Sequence, residues 1–319
     1  MAKYVTVSTL GPRPVAVNSN SKPEDIIARM KEHWSRELAQ VLPDKPDIIV
    51  LPEACDRPCA FTMDKRLEYY RVRGTQMLEF FSKKAKENYC YIAYSAAREM
   101  PDKTWRNTTQ IIDKKGEVIG TYDKNHPTIG EMDNAHIMPG SEATIINCDF
   151  GKVGFVICFD LNFEAIRQQY EKLKPQLLLF SSMYHGGLMA NYWAYSCQTY
   201  LVGAIAGLEN YVISPVGEKL ATNTNYFNYL TATVNLDYRV VHLDGNWDWV
   251  DTIKRKYGPK VKVRDPGFLG AVMLSSETDE FTIDDIIEEF GIEDFDGYMR
   301  RSLNHRDKYV VKEKGAFNK

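Results

Sequence analysis

Long apolar stretches are missing from this 319-residue chain. No run approaches the roughly 20 residues that cross a bilayer, so no membrane partner is expected. An excess of one charge is missing too. Forty basic and 43 acidic residues leave a net charge of −3, which gives no electrostatic case for nucleic acid or an anionic surface. Met1-Ala2-Lys3-Tyr4-Val5-Thr6 lacks the apolar core of a secretory signal. The six cysteines, at 55, 59, 90, 148, 158 and 197, then read as reduced thiols of a cytoplasmic protein. There is no HExxH, and Cys55-Asp56-Arg57-Pro58-Cys59 has no second ligand pair. Zinc chemistry is therefore disfavoured, and no metal or other cofactor is expected. No GxGxxG follows the first strand-like segment, against a dinucleotide fold. Internal repeats and low-complexity linkers are absent.

What is present alternates. Hydrophobic residues make up 44% of the chain, enough for a buried core. Tyr4 to Leu10 is rich in β-formers. Ser21 to Leu42 places Ile26, Ile27, Met30, Trp34, Leu38 and Val41 near helical spacing, with Ser19 or Ser21 as cap and Pro23 in the first turn. Asp47 to Leu51 is a continuous apolar strand. Arg73 to Asn88 reads as a second helix and Tyr91 to Ala96 as the next strand. Two hairpins follow, turning at Asp113-Lys114-Lys115-Gly116 and Asp149-Phe150-Gly151-Lys152. Later segments alternate again. Strand–helix alternation plus hairpins predicts sheets covered by helices. Composition shifts after Ser276. Glu277 to Asp296 is acidic, with Ile283, Ile286, Ile287 and Phe290 at helical spacing and Thr282 as cap. The expected organisation is a main domain over 1–275 and an extension over 276–319, docked on the body or on a second subunit.

Three reactive side chains each follow an apolar or β-favouring run. Glu53 ends Ile48-Ile49-Val50-Leu51-Pro52, Lys124 ends Gly120-Thr121-Tyr122-Asp123, and Cys158 ends Val153-Gly154-Phe155-Val156-Ile157. A carboxylate at the end of a buried strand is expensive unless paired or functional. It would serve as base for the thiol. A thiol at a strand-to-helix turn sits where a helix N-terminus favours thiolate. An ammonium beside both would stabilise an oxyanion. Singly, each has a plainer reading: a core cysteine, a loop glutamate, a strand-end lysine. Together, a base, a cation and a soft nucleophile can split a carbon–nitrogen bond without a metal.

In this order the three resemble the Glu-Lys-Cys triad of the nitrilase superfamily, the carbon–nitrogen hydrolases. The similarity extends through Arg106-Asn107-Thr108, Gly116-Glu117-Val118-Ile119-Gly120, Phe150-Gly151-Lys152-Val153-Gly154, Cys158-Phe159-Asp160 and Ile213-Ser214-Pro215-Val216-Gly217-Glu218. It covers about 48 to 235. The resemblance implies a four-layer α-β-β-α sandwich, usually a homodimer or larger homo-oligomer, and a cysteine thioester formed from a small amide. Phe159 would lend its backbone N–H to the oxyanion site. Glu131 resembles a glutamate that some amidases of the family carry after the lysine, which orients the substrate and assists catalysis. Tyr184 and His185 fall in a loop that lines the pocket in this fold. Asn162 stands where several members carry an arginine for a substrate carboxylate, which disfavours N-carbamoyl and ω-amide substrates unless another arginine replaces it. Cys158-Phe159-Asp160 differs from the Cys-Trp-Glu usual in true nitrilases, which favours amides over nitriles. Nitrile hydrolysis, N-carbamoyl hydrolysis, acyl transfer and a non-catalytic scaffold are the alternatives.

Overall fold

The continuous apolar runs become central strands of two six-stranded sheets in the computed structural model, which describes residues 1–310 other than Ser19 and Ala60. The chain divides into two compact units. One is Tyr4–Leu236; the other joins Met1–Lys3 to the residues from Asp237 onward.

In the first unit, β1 (Tyr4–Leu10), β2 (Ile48–Val50), β3 (Tyr91–Glu99), β4 (Trp105–Ile112) and β5 (Val118–Asp123) lie side by side. The second sheet contains β6 (Ile145–Cys148), β7 (Gly151–Ile157), β8 (Leu177–Ser182), β9 (Tyr200–Ile205), β10 (Tyr211–Ile213) and β11 (Lys219–Thr222). β12 (Tyr229–Asn235) returns to the edge of the first sheet, antiparallel to β1. Each sheet has a parallel centre, β1-β2-β3 in one and β7-β8-β9 in the other, with antiparallel flanks. Strands covered on both faces need no polar alternation, which is why β2 and β8 are buried at every position.

Helices cover the outer faces. α1 (Pro23–Leu38) and α3 (Gln76–Asn88) bury Ile27, Met30, Trp34, Met77 and Phe81 against Ile49, Leu51, Ile92 and Tyr94. Between them in sequence lies α2 (Met63–Arg73); α4 (Ile129–Ala135) follows β5. α5 (Glu164–Leu173) and α6 (Leu188–Cys197) bury Ile166, Tyr170 and Trp193 against Val156, Leu178 and Phe180. Each such large side chain contributes about 1.5–3 kcal/mol by leaving water. The inner faces meet. Tyr122 on β5 stacks on Phe155 of β7 at 6.3 Å, and the Ser181 hydroxyl donates to the Leu51 carbonyl at 2.8 Å. The arrangement is the four-layer α-β-β-α sandwich that the resemblance implied.

Two local expectations change. Lys22, not Ser21, occupies the cap position of α1 and makes no side-chain cap bond; Pro23 does open the helix, and Ser19 lies outside the described residues. The helix expected from Arg73 starts at Gln76. Arg73 instead ends α2, where Gly74 at φ 48° takes a backbone conformation open to glycine and closes it.

The second unit holds β13 (Tyr238–His242), α7 (Trp247–Tyr257), β14 (Val261–Arg264), β15 (Ala271–Ser276), α8 (Ile283–Phe290) and α9 (Phe295–Asp307). β15 is the middle strand of the antiparallel sheet β13-β15-β14. Ile283 and Ile286 pack on Val241, Ile253, Val272 and Leu274. Thr282 caps α8 as expected, accepting from the Asp285 amide at 3.2 Å. A boundary at 275/276 would cut through β15. Its pairing with β13 and β14 binds residues 238–276 into one sheet, and the division falls at 236/237 instead.

Candidate active site

Glu53, Lys124 and Cys158 each sit just past the C-terminal end of a strand: β2, β5 and β7. In open sheets with a parallel centre, that edge is where loops gather into a site. Glu53 follows Leu51, whose amide still pairs with Ala93. The next residue, Ala54, takes φ 44° and turns the chain away. Tyr122 and Lys124 are two apart and share the inner face, as the strand period requires.

Lys124 is the hub, with only 1% of its surface exposed. Its Nζ donates to Glu53 Oε1 at 2.8 Å and to Glu131 Oε2 and Oε1 at 2.9 and 3.2 Å. Asn107 on β4 ties both carboxylates, donating from Nδ2 to Glu53 at 2.8 Å and Glu131 at 3.1 Å. The Asn107 carbonyl also accepts from the Lys124 amide at 2.8 Å. Glu131 is held a second way. It is the third residue of α4 and closes a capping box with Thr128, whose amide donates to Oε2 at 2.7 Å. Burial works against the Lys124 charge, but Glu53 and Glu131 outweigh it and hold the amine well above its ordinary range. Burial likewise opposes the Glu131 charge. Lys124 and the Thr128 amide win, so its carboxyl lies below the usual range.

Cys158 opens a short 3₁₀ turn, Cys158–Asn162, at φ 47°. A non-glycine residue there costs on the order of 1–3 kcal/mol and persists only where its surroundings insist. Asp160, fully buried, supplies that insistence. It accepts from the Ile157 amide at 3.2 Å, the Tyr122 hydroxyl at 2.8 Å and the His126 amide at 2.7 Å. The His126 ring stacks on Phe163 at 3.7 Å. The turn is thus fastened to β5 and to the loop after it.

The thiol does not rest as the thiolate that a helix start would favour. Burial, and next the Glu53 carboxylate, push Cys158 up to about 11, against Lys124, the Met183 amide and the Ser182 hydroxyl. One short turn cannot offset desolvation plus a facing carboxylate.

The four remaining candidates scatter around this centre. Phe159 is partly exposed and packs edge-on to Phe163 at 5.2 Å. Asn162 is exposed and donates to the Phe159 carbonyl at 3.1 Å, bracing the turn. Tyr184 is half-buried against Phe180; burial and then Cys158 raise its hydroxyl. His185 is exposed, and its carbonyl accepts from Tyr211 at 2.8 Å. Asn107, Asp160 and His126 were not singled out from the sequence. Asn107 and Asp160 stood inside the quoted blocks, but nothing local marked their bonds.

Beside the carboxylates is a cavity of about 50 Å³, lined by Glu53, Asn107 and Glu131 on one side and by residues of α2 and the preceding loop on the other. Among the described residues, no group of three or more His, Cys, Asp or Glu is arranged to hold a metal ion, and no helix is long and apolar enough to cross a membrane.

A family model described as carbon-nitrogen hydrolase matches residues 15–239. Nitrilase homolog 2 from Dictyostelium discoideum is 22% identical over 147 residues, covering 43% of this chain and 44% of that protein. The chain thus spans under half the length of that relative. Omega-amidase NIT2 from Xenopus tropicalis is 23% identical over 215 residues, 60% of this chain and 77% of the relative. The crystal structure of Nit3 from Saccharomyces cerevisiae superposes with a TM-score of 0.60 at 16% identity, covering 81% of this chain and 95% of that one. At such identity the likeness is one of fold. The match over most of the chain, on this sandwich, settles the family: the chain belongs to the carbon–nitrogen hydrolases of the nitrilase superfamily.

Proposed function

We propose that the chain hydrolyses a small linear amide through a thioester on Cys158. The observation that supports this most is the Lys124 ammonium held at 2.8 Å from Glu53, with both charges acting on the Cys158 thiol. With the thiol protonated at rest, Glu53 takes its proton as sulfur attacks the amide carbon. The carbonyl oxygen becomes an oxyanion, stabilised by Lys124 and the Phe159 amide. Glu53 returns the proton to the amide nitrogen, the C–N bond breaks, and ammonia or an amine leaves. Water then attacks the thioester while Glu53 takes its proton. The carboxylic acid departs and the thiol is restored. Glu131, locked by Thr128 and Lys124, stays charged and orients the substrate nitrogen.

Omega-amidases and amidases occur among the related proteins, which supports amides over nitriles. The test is ammonia release from a panel of small amides, carbamoyl compounds and nitriles, by the native chain and by Cys158→Ala. Release from amides that vanishes in the variant is expected. A variant that keeps full turnover would sink the thiol mechanism.

A further inference from the structure

A second recess, of about 820 Å³, opens past the ends of β1 and β9 and shares no lining residue with the cavity beside Glu53. β1 runs parallel to β2, and β9 to β8 and β7, so these are the same strand ends at which Glu53 and Cys158 sit. The floor of the recess is built, and its acceptors are taken. The Gly207 amide donates to the Gly11 carbonyl at 2.7 Å, which joins the two strand ends. Buried Asn210 accepts from the Ile205 amide at 2.7 Å and donates from Nδ2 to the Asn228 carbonyl at 3.1 Å. Its amide donates to Asn223 Oδ1 at 2.7 Å, and Asn223 Nδ2 donates to the Phe227 carbonyl at 2.6 Å. These bonds fix the loop over 223–228. Glu37, buried on α1, accepts from Gln40 at 2.7 Å and from Asn228 at 3.2 Å. Glu209 pairs with Lys219.

The donors around this floor are not taken. The Arg13 guanidinium makes no hydrogen bond or ion pair among the described residues. Its stem lies over Gly207, where a Cβ would come within 2.8 Å of Arg13 Cγ, so a glycine there makes room for it. Arg36 reaches Glu37 only at 3.9 Å and the His33 ring at 3.4 Å. Both arginines also line an adjoining recess of about 400 Å³, together with Arg29, two turns before Arg36 on α1. Arg29 is likewise unpaired among the described residues, and Glu32 beside it has no cation within 4.0 Å. With Glu209 neutralised by Lys219, three arginines stand against two glutamates, Glu32 and Glu37. An arginine cannot shed its proton to remove that surplus. The larger recess also gathers Leu208, Tyr226 and Phe227, which are 44%, 86% and 54% exposed. Single exposed apolar side chains are ordinary, but three around one recess mark a place where something binds.

We infer that this recess binds a nucleoside phosphate, with the phosphate on Arg13 and Arg36 and the base on Tyr226. A guanidinium fork meets phosphate oxygens in pairs, which an ammonium does not. Every nucleobase has a face that stacks on an aromatic ring. Asn225 is exposed and its side chain makes no hydrogen bond among the described residues, so its amide is free to donate to a base edge and accept from it. A volume of about 820 Å³ falls in the range of small-molecule sites, roughly 300–1,000 Å³, and is far more than a free phosphate fills. The inference does not rest on the reaction proposed for Cys158: none of Glu53, Lys124, Glu131 and Cys158 lines either recess.

The experiment is calorimetry on the full chain at one ionic strength, with AMP, adenosine and inorganic phosphate as probes. AMP is expected to bind about tenfold or more tighter than either part alone. Arg13→Gln and Arg36→Gln should each weaken AMP roughly 10–100-fold, the worth of a charge-assisted hydrogen bond, and leave adenosine unchanged. Arg36→Lys should recover only part of that loss, because an ammonium keeps the charge without the fork. Tyr226→Ala should weaken AMP and adenosine alike, by about tenfold. These variants should keep the ligand-free melting temperature and the amide turnover of the native chain. Cys158→Ala should bind AMP as the native chain does. No AMP binding at millimolar concentration, full AMP affinity in a chain carrying both Arg13→Gln and Arg36→Gln, or adenosine binding as tightly as AMP would overturn the site. Phosphate binding as tightly as AMP would leave an inorganic anion site and overturn the nucleotide assignment. Loss of AMP binding in Cys158→Ala would move the ligand to the thiol and overturn the recess.

Discussion

Two buried charge clusters flank the turn after β2, and they differ in what they leave unfinished. Asp56 accepts from Arg73 Nη1 and from the Tyr94 hydroxyl, both at 2.6 Å, and Arg73 also donates to the Ala97 carbonyl at 2.6 Å. None of the Asp56, Arg73 and Tyr94 side chains lines the cavity beside Glu53. That cluster pins the end of α2 to β3 and so holds the loop that presents Glu53. Three residues earlier, Glu53 shares one ammonium with Glu131 and faces a cavity and a thiol. A buried ion pair is therefore not a functional signal by itself. What distinguishes the second cluster is its opening onto space and a nucleophile.

The sharpest way to separate the clusters is Glu53→Gln. Under the proposed mechanism, this removes the base and is expected to cut amide turnover about 10²–10⁴-fold. The same change removes a negative charge that raises the thiol, so Cys158 should titrate below about 11. Its alkylation by iodoacetamide at mildly alkaline pH should therefore quicken while catalysis dies. Slower alkylation would show that Glu53 does not face the sulfur in solution. Arg73→Met comes next, and acts on the fold. It strands the Asp56 carboxylate in the interior, at about 3–5 kcal/mol in a denaturant titration. A loss below about 1 kcal/mol, near the value of exposed pairs, would remove the contrast between the clusters.

Asp160→Asn probes the turn that holds Cys158 at positive φ. Weakening bonds from Ile157, Tyr122 and His126 should cost about 1.5–3 kcal/mol and slow turnover. Unchanged kinetics would mean the turn keeps its shape without the carboxylate. The smallest effect concerns Glu131 and pH. Its folded carboxyl lies below the ordinary value of 4.5. Its stabilisation is therefore present above 4.5 and is lost as pH falls through the lower folded value. The melting-temperature gap between the native chain and Glu131→Gln should narrow with acid, and Thr128→Ala, which removes the cap, should cost about 1 kcal/mol. A gap that holds constant down to about pH 3 would contradict the linkage.

Much of the sandwich could be read locally. Ile48 to Leu51 and Leu177 to Phe180 announce themselves because a doubly covered strand needs no polar alternation. Thr282 announces α8 because a hydroxyl before an apolar helical face satisfies orphan amides. Glu53, Lys124 and Cys158 are visible for a related reason: a charged or reactive residue straight after a buried run is conspicuous. α2 was not legible, since its buried Tyr69, Tyr70 and Arg73 answer to Asp56 and Trp105 rather than to an apolar stripe.

The strand cores, the cap of α8 and the three reactive positions are local properties, because each depends on neighbours within a few residues. Tertiary structure alone decided that one ammonium serves two carboxylates, that Asn107 ties them, and that the thiol rests protonated. It also put Arg13 and Arg36 on one recess and set the unit boundary at 236/237. Glu53 and Lys124 are 71 positions apart. Their pairing exists only once β2 and β5 lie in one sheet, and the desolvation around them only once the chain has closed over the site.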